Sequence, residues 1–241
     1  MSFDGAHFRF ELDEQTAAGL MRLSQQQGAT LFMTLLAAFK ILLHRYTGQS
    51  EIVVGSSIAN RNRLETKELI GLFVNTLVMR IDLSGDPSFK ELLEQVRKVT
   101  LEAYANQDLP FEMLVEELQP ERDLSRNPLF QVMFAFQNTP LTTALELPGL
   151  TISIPELERK TALFDLGMMM GERDQRIWCA LEYSTDLFEA GTIKRMLEHY
   201  VRLLEGIAAG PEERLLELPL LSAAEREQLL RERNETEREF A

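Results

Sequence analysis

The chain has 241 residues, a formal net charge of −13, 45% apolar residues and 26% charged ones. That balance supports one sizeable folded core, or two small ones, and excludes a disordered chain. Its acidity argues against nucleic acid or an anionic membrane surface as the main partner, and its single cysteine, Cys179, excludes an internal disulfide framework and fits a reducing, cytoplasmic compartment.

The N-terminal stretch "MSFDGAHFRFELDEQ" lacks a basic start followed by an apolar run, so it does not read as a signal peptide. Apolar runs such as "LFMTLLAAFKILL" are too short and interrupted to span a bilayer. Residues 8–12 alternate in polarity and predict a strand. Asp13 then looks like the N-cap of a helix through Gln27, stopped by Gly28. "ATLFMTLLAAFKILLHRYTG" is apolar on nearly every face until Lys40 and predicts a buried helix ending at Gly48.

"EIVVGSSI" reads as a strand, "ANRNRLETKELIG" as a polar loop and "LFVNTLVMRIDL" as a longer strand. Phe73, Leu77, Met79 and Ile81 share one face of it with Asn75, while Val74 and Val78 share the other with Thr76 and Arg80. Both faces are largely apolar, which predicts a central strand. Asp86-Pro87 offers a capping carboxylate and a first-turn proline for the next helix, whose buried stripe is Phe89, Leu92, Leu93, Val96 and Val99. Pro110 opens a short helix with Phe111, Leu114, Val115 and Leu118 at i, i+3, i+4 and i+7.

"LFQVMFAFQ" is a strand with Phe130, Val132, Phe134 and Phe136 on one face, followed by a Thr-, Pro- and Leu-rich loop over 138–150. "LTISIPELE", "ALFDLGMMMGE" and "QRIWCALEYST" read as strands, the last two as a hairpin about "GERDQ". A helix over 189–208 buries Ile193, Met196, Leu197, Tyr200, Leu204 and Ile207. Ser222 and Glu225 form a capping box, and a charged tail follows. The expected fold is α/β, a mixed sheet packed by helices.

Few residues suggest chemistry. No phosphate loop, zinc-type cysteine pair or nucleophile elbow occurs. His7, His44 and His199 stand apart, with no carboxylate or cysteine at ligand spacing. His44 and His199 read as helix C-terminal residues complementing the dipole. Met168 to Met170 alternate across a strand and cannot converge on one ion, so they read as core, as does Cys179. Asn75, an amide in an apolar run, needs partners: a sheet-edge or loop hydrogen bond, or a substrate carbonyl or amide in a channel. Arg122, Asp123, Ser125, Arg126, Asn127 and Pro128 crowd one loop, where a turn alone explains Asn and Pro but not two arginines.

Taken in order, "IVVGSSIANR", "IGLFVNTLVMRIDL", "NQDLPFEMLVEELQPERDLSRNPLFQVMFAFQN" and "FDLGMMMGE…LEYSTDLF" resemble the C-terminal half of a condensation domain of nonribosomal peptide synthetases. The tail "LPLLSAAEREQLLRERNETEREF" resembles the linker into an adenylation domain. The resemblance implies a two-layer, chloramphenicol acetyltransferase-like lobe with a mixed, mostly antiparallel sheet, here residues 1–215, then a linker, 216–241. It implies a substrate tunnel between two lobes, entered by the phosphopantetheine arms of peptidyl carrier proteins, with no cofactor bound directly and no metal. The family's His-His-x-x-x-Asp-Gly signature belongs to the N-terminal lobe, and this sequence has no His-His pair. No catalytic residue is therefore expected here.

Carried over by motif, Asn75 and the turn Ser125, Arg126, Asn127 and Pro128 line or support the tunnel wall. Ser56 and Ser57 end a strand approaching the acceptor side, and the 138–150 loop reaches toward the other lobe. Asn106 stands where the motif usually reads histidine, and "GSSIANR" replaces a more usual "GTPIAGR". Expected partners are the N-terminal lobe, carrier proteins and an adjacent adenylation domain, with neither nucleic acid nor membrane. The alternatives are a non-catalytic carrier- or domain-interaction module and a lobe of an epimerisation or cyclisation domain.

Overall fold

A computed structural model describes residues 3–120, 126–137, 160–173 and 176–232. Strand β1 (Gly5–Glu11) leads into α1 (Glu14–Gln26), whose N-cap Asp13 accepts from the Thr16 N–H at 2.9 Å. Gly28, at φ 58°, takes the left-handed turn that lets α2 (Leu31–Thr47) fold back at once. Thr30 caps α2, and Gly48 at φ 70° closes it. From Phe32 to Leu43 every residue of α2 is buried, so this helix is the centre of the core.

After α2 come β2 (Glu51–Ile58), a single helical turn α3 (Leu64–Lys67) and β3 (Asn75–Asp82). Next are α4 (Phe89–Ala105), α5 (Phe111–Leu118), β4 (Val132–Gln137), β5 (Leu166–Arg173), β6 (Arg176–Ser184), α6 (Ala190–Ala209) and α7 (Ala223–Glu227), which runs on as a π turn to Glu232. The six strands lie in the order β1-β6-β5-β4-β2-β3. β4 pairs parallel with β5 and β2, and the other pairs are antiparallel. The sheet is mixed and mostly antiparallel, as expected, and β5 and β6 form the predicted hairpin with Arg173 opposite Arg176.

Strand side chains alternate between faces. Val54, Leu77, Met79, Phe134, Leu166, Met168, Met170, Cys179 and Leu181 point into one core with α1, α2, α4 and α6. Met169 stands 42% exposed between two buried neighbours, as strand geometry requires of the Met168–Met170 run. Burial pushes the Cys179 thiol far up from its ordinary pKa, so it is an inert core group. Among the described residues no single helix is long and apolar enough to cross a membrane.

Several expectations are corrected. β3 is an edge strand, not a central one. Of the two apolar residues that made its second face look buried, Val74 precedes the strand, and Val78 is half-buried within it beside Thr76, Arg80 and Asp82. The α4 cap is Ser88, whose hydroxyl and Glu91 form a capping box. Asp86 sits instead at φ 49° and accepts from the Leu216 N–H at 3.0 Å. The "ANRNRLETKELIG" loop contains the turn α3. The α5 stripe is only half-buried, with Leu118 exposed. The predicted strand "LTISIPELE", the 138–150 loop and Ser125 lie outside the described residues.

Lys40, expected to interrupt the apolar helix, is fully buried. Its Nζ donates to the carbonyls of Ile52 at 2.9 Å and Met79 at 2.7 Å, tying α2 to β2 and β3. Burial pushes its pKa down to about 7. The unfolded chain then holds a proton, up to a pKa of about 10.4, that the folded chain releases, so this group makes stability rise with pH above about 7. The slope is roughly 1 kcal/mol per pH unit until about pH 8.5, where ionisation of Cys179 in the unfolded chain begins to oppose it. Urea unfolding of the wild type between about pH 7 and pH 8.5 is expected to show this rise, and Lys40→Met to flatten it; equal slopes in the two proteins would refute the assignment.

Candidate functional site

The expected wall residues flank the β2–β4 junction. Antiparallel β3 begins where β2 ends, whereas β4 runs parallel with β2 and begins level with its middle, together with β5. Ile58 faces Asn75 across the β2–β3 ladder, Gly55 faces Met133, and Val132 faces Leu166. The Arg126–Pro128 turn leads into the start of β4, with the Gln131 amide donating to the Asn127 carbonyl at 3.0 Å. Burial raises the Asp165 pKa from its ordinary value, and the Arg126 charge pulls it partly back, which places the arginine beside the start of β5. Ser56 is buried on the helix-facing side of β2, whereas Ser57 is exposed on the other.

An aromatic stack underlies the site. Phe130 packs edge-on against Phe111 and stacks on Phe164, both with ring centroids at 5.7 Å. Gly55 makes this possible: a Cβ there would lie 2.3 Å from the Phe130 ring. Only the phenylalanine after "RNPL" and the glycine before the paired serines hinted at this contact, because hydrophobic periodicity says nothing of which ring lies on which backbone.

Asn75 is largely buried, and its hydrogen bonds go to backbone. Its amide nitrogen donates to the Gln107 carbonyl at 2.9 Å and the Leu109 carbonyl at 2.8 Å. Its oxygen accepts from the N–H of Thr76 at 2.9 Å and of Phe111 at 3.1 Å. The cap of α5 is Pro110, which has no capping hydroxyl, so Asn75 supplies the acceptor from another element. Asn106 closes the preceding helix, its amide donating to the Glu102 carbonyl at 2.9 Å.

Beside Asn75, Leu72, Phe73, Val74, Pro110 and Phe111 line a cleft of about 290 Å³. The Arg61 guanidinium lies 4.4 Å over the Phe73 ring and donates to the carbonyls of Thr66, Leu69 and Gly71. This holds a segment from which Ile70 and Leu72 project almost fully into solvent, at 105% and 90% exposure. A larger, open groove of about 510 Å³ runs between α4 and Arg214. Among the described residues, no histidine lines either hollow.

The histidines divide. His44 meets the Gln49 carbonyl at 2.6 Å in the last turn of α2, near the helix end as expected. His199 is corrected: it lies mid-helix in α6, is buried, and contacts Tyr46 at 2.7 Å and Glu225 at 2.9 Å. Glu225 is brought from a separate element, so no local spacing could announce the pair. Among the described residues no cluster of side chains is suited to hold a metal.

Asn75→Ala leaves two carbonyls and the Phe111 N–H without their partner. A loss of about 2 kcal/mol in unfolding free energy is expected, with faster amide exchange confined to residues 107–114. Unchanged exchange there would show that the amide does not hold α5.

The condensation-domain family matches residues 1–230. A linear gramicidin synthase polypeptide of Brevibacillus parabrevis is 50% identical over 235 residues, which cover 97% of this chain and 4% of that one. A holo four-domain nonribosomal peptide synthetase bound to AMP and glycine superposes with a TM-score of 0.85 at 26% identity, over 93% of this chain and 18% of that one. The X-domain from teicoplanin biosynthesis superposes with a TM-score of 0.84 at 31% identity, over 91% of this chain and 50% of that one. The chain thus spans a small part of those synthetases and half of that X-domain chain. It belongs to the condensation-domain family of nonribosomal peptide synthetases.

Proposed function

We propose that this chain is the C-terminal half of a condensation domain and supplies one wall of a tunnel in which two carrier-bound thioesters meet. In that tunnel the acceptor amine attacks the donor thioester carbonyl, a C–N bond forms, the C–S bond breaks and the carrier thiol leaves. The phosphopantetheine arms arrive on peptidyl carrier proteins, and none is bound directly by this chain. The proton on the attacking amine is handled by the N-terminal lobe, so this half alone is inactive. Residues 1–215 are the lobe, and 216–241 lead toward an adenylation domain.

The observation that carries the reading is the sheet face turned away from the core helices. Met133, Ala135, Gly167, Met169 and Ala180 succeed one another across β4, β5 and β6 there, small or flexible side chains that make a shallow floor. Such a surface suits sliding contact with an extended thioester rather than acid-base chemistry. Half-coverage of the X-domain chain and the lack of any adjacent histidines support the same division. Ser56, Ser57, Asn75, Ser125, Arg126, Asn127 and Pro128 act as wall or support, with Asn75 acting through the backbone it holds.

The exposed Ile70 and Leu72 favour a second role for this half as an interaction module, because apolar side chains standing free usually meet a partner. Mixing this chain with a purified N-terminal lobe and two loaded carrier proteins is expected to form peptide product, and each half alone none. Ala135→Phe is expected to lower the rate of the mixture roughly tenfold without changing the melting temperature. Product from this chain alone would overturn the division of labour.

A further inference from the structure

We propose that Tyr46, His199 and Glu225 form a clasp that fastens α7 to the body and can open without unfolding it. The segment leading to α7 is strapped along the molecule. The N–H groups of Phe89 and Lys90 donate to the carbonyls of Glu213 and Pro211, at 3.0 and 3.2 Å, and the Leu215 N–H donates to the Pro87 carbonyl at 3.1 Å. Leu215 and Leu218 are buried, and Pro219 rests on Gly206, where a Cβ would approach to 2.5 Å. Arg45, in the last turn of α2, donates to the carbonyls of Leu215 at 3.0 Å and Leu216 at 3.1 Å.

The next residue of that turn holds the far end. Tyr46 contacts His199 Nδ1, and His199 Nε2 contacts Glu225 Oε1. Glu225 is ionised, its pKa held down to about 2 first by its hydrogen bonds with Ser222 and then by His199. A carboxylate only accepts, so Nε2 carries the proton, and in the neutral ring Nδ1 accepts from the Tyr46 hydroxyl. The other oxygen of Glu225 accepts from the Ser222 N–H at 2.7 Å, so one carboxylate both caps α7 and docks it.

Among the described residues nothing comparable holds α7 otherwise. It has five residues and no buried side chain. A helix that short has no stability of its own. Its order rests on the cap and the clasp, which makes it a unit that opens locally. Opening uncovers His199 and frees the orientation of α7 relative to the body. The clasp is independent of any transfer chemistry.

Limited trypsin digestion of the 241-residue chain at Arg226, read against amide exchange in α2 and α6, tests this. His199→Phe keeps the ring's bulk and removes both contacts. Cleavage at Arg226 is expected to quicken about tenfold, the effect of losing one charge-assisted hydrogen bond, with α2 and α6 unchanged. Wild-type cleavage in a folded His199→Phe protein overturns the clasp. Should that variant fold poorly, Glu225→Ala and Ser222→Ala replace it, since neither side chain supports the core. Ser222→Ala removes the cap alone, and Glu225→Ala removes cap and dock, so faster cleavage in Glu225→Ala supports the clasp and equal rates refute it.

Discussion

Two adjacent residues of α2 hold the two halves of the sheet together. Phe39 meets Phe134 of β4 with ring centroids at 5.7 Å, and Lys40 reaches the carbonyls of Ile52 on β2 and Met79 on β3. The β2–β4 junction between those halves rests on a single registered pair, Gly55 with Met133. The ladder there is too short to align the halves alone, and α2 supplies the alignment from beneath. The ammonium suits this task because it reaches two strands at once, which no apolar side chain can do by hydrogen bonding. Its cost is desolvation without a carboxylate partner, which burial registers as the lowered pKa.

The same junction organises the site. Phe130 precedes β4 and lies on the bare backbone of Gly55, so the turn of Arg126, Asn127 and Pro128 is fixed relative to the end of β2. Phe111 closes on Phe130 from the other side, and Asn75 holds the N-terminus of the helix that bears Phe111. One ring, one glycine and one amide thus link Asn75, the middle of β2 and the turn before β4. The contacts are structural: the hydrogen bonds of Asn75 go to backbone, and Phe130 meets a ring on one side and a glycine on the other.

Much of the fold was legible in the sequence. Asp13, Gly28, Gly48 and the Ser222–Glu225 box mark their helix ends, because capping is local chemistry. The β5–β6 hairpin and the alternation of Met168 to Met170 follow from strand geometry. What failed was non-local. β3 read as central because Val74 and its neighbours seemed to belong to it, and only the chain path shows that the strand starts at Asn75. Lys40 marked the end of the all-round apolar stretch, and periodicity does not reveal that it bonds two distant carbonyls. Asn75 announced a need for partners but not their identity.

A lobe with core helices on one face of its sheet and a floor of alanine, glycine and methionine at the centre of the other has an asymmetric demand for company. The helix face is saturated: nearly all its large side chains are buried, and the polar ends of Lys40 and Tyr200 have hydrogen-bond partners there. The glycine and alanines of the floor gain little by burial, because small side chains carry little apolar area, and its methionines are unbranched and adapt to what lies on them. Filling the floor with bulky β-branched residues would strengthen the strands and close the space above them. The floor and the saturated core fit the proposed role, in which this half is held from beneath while its upper face meets an extended thioester.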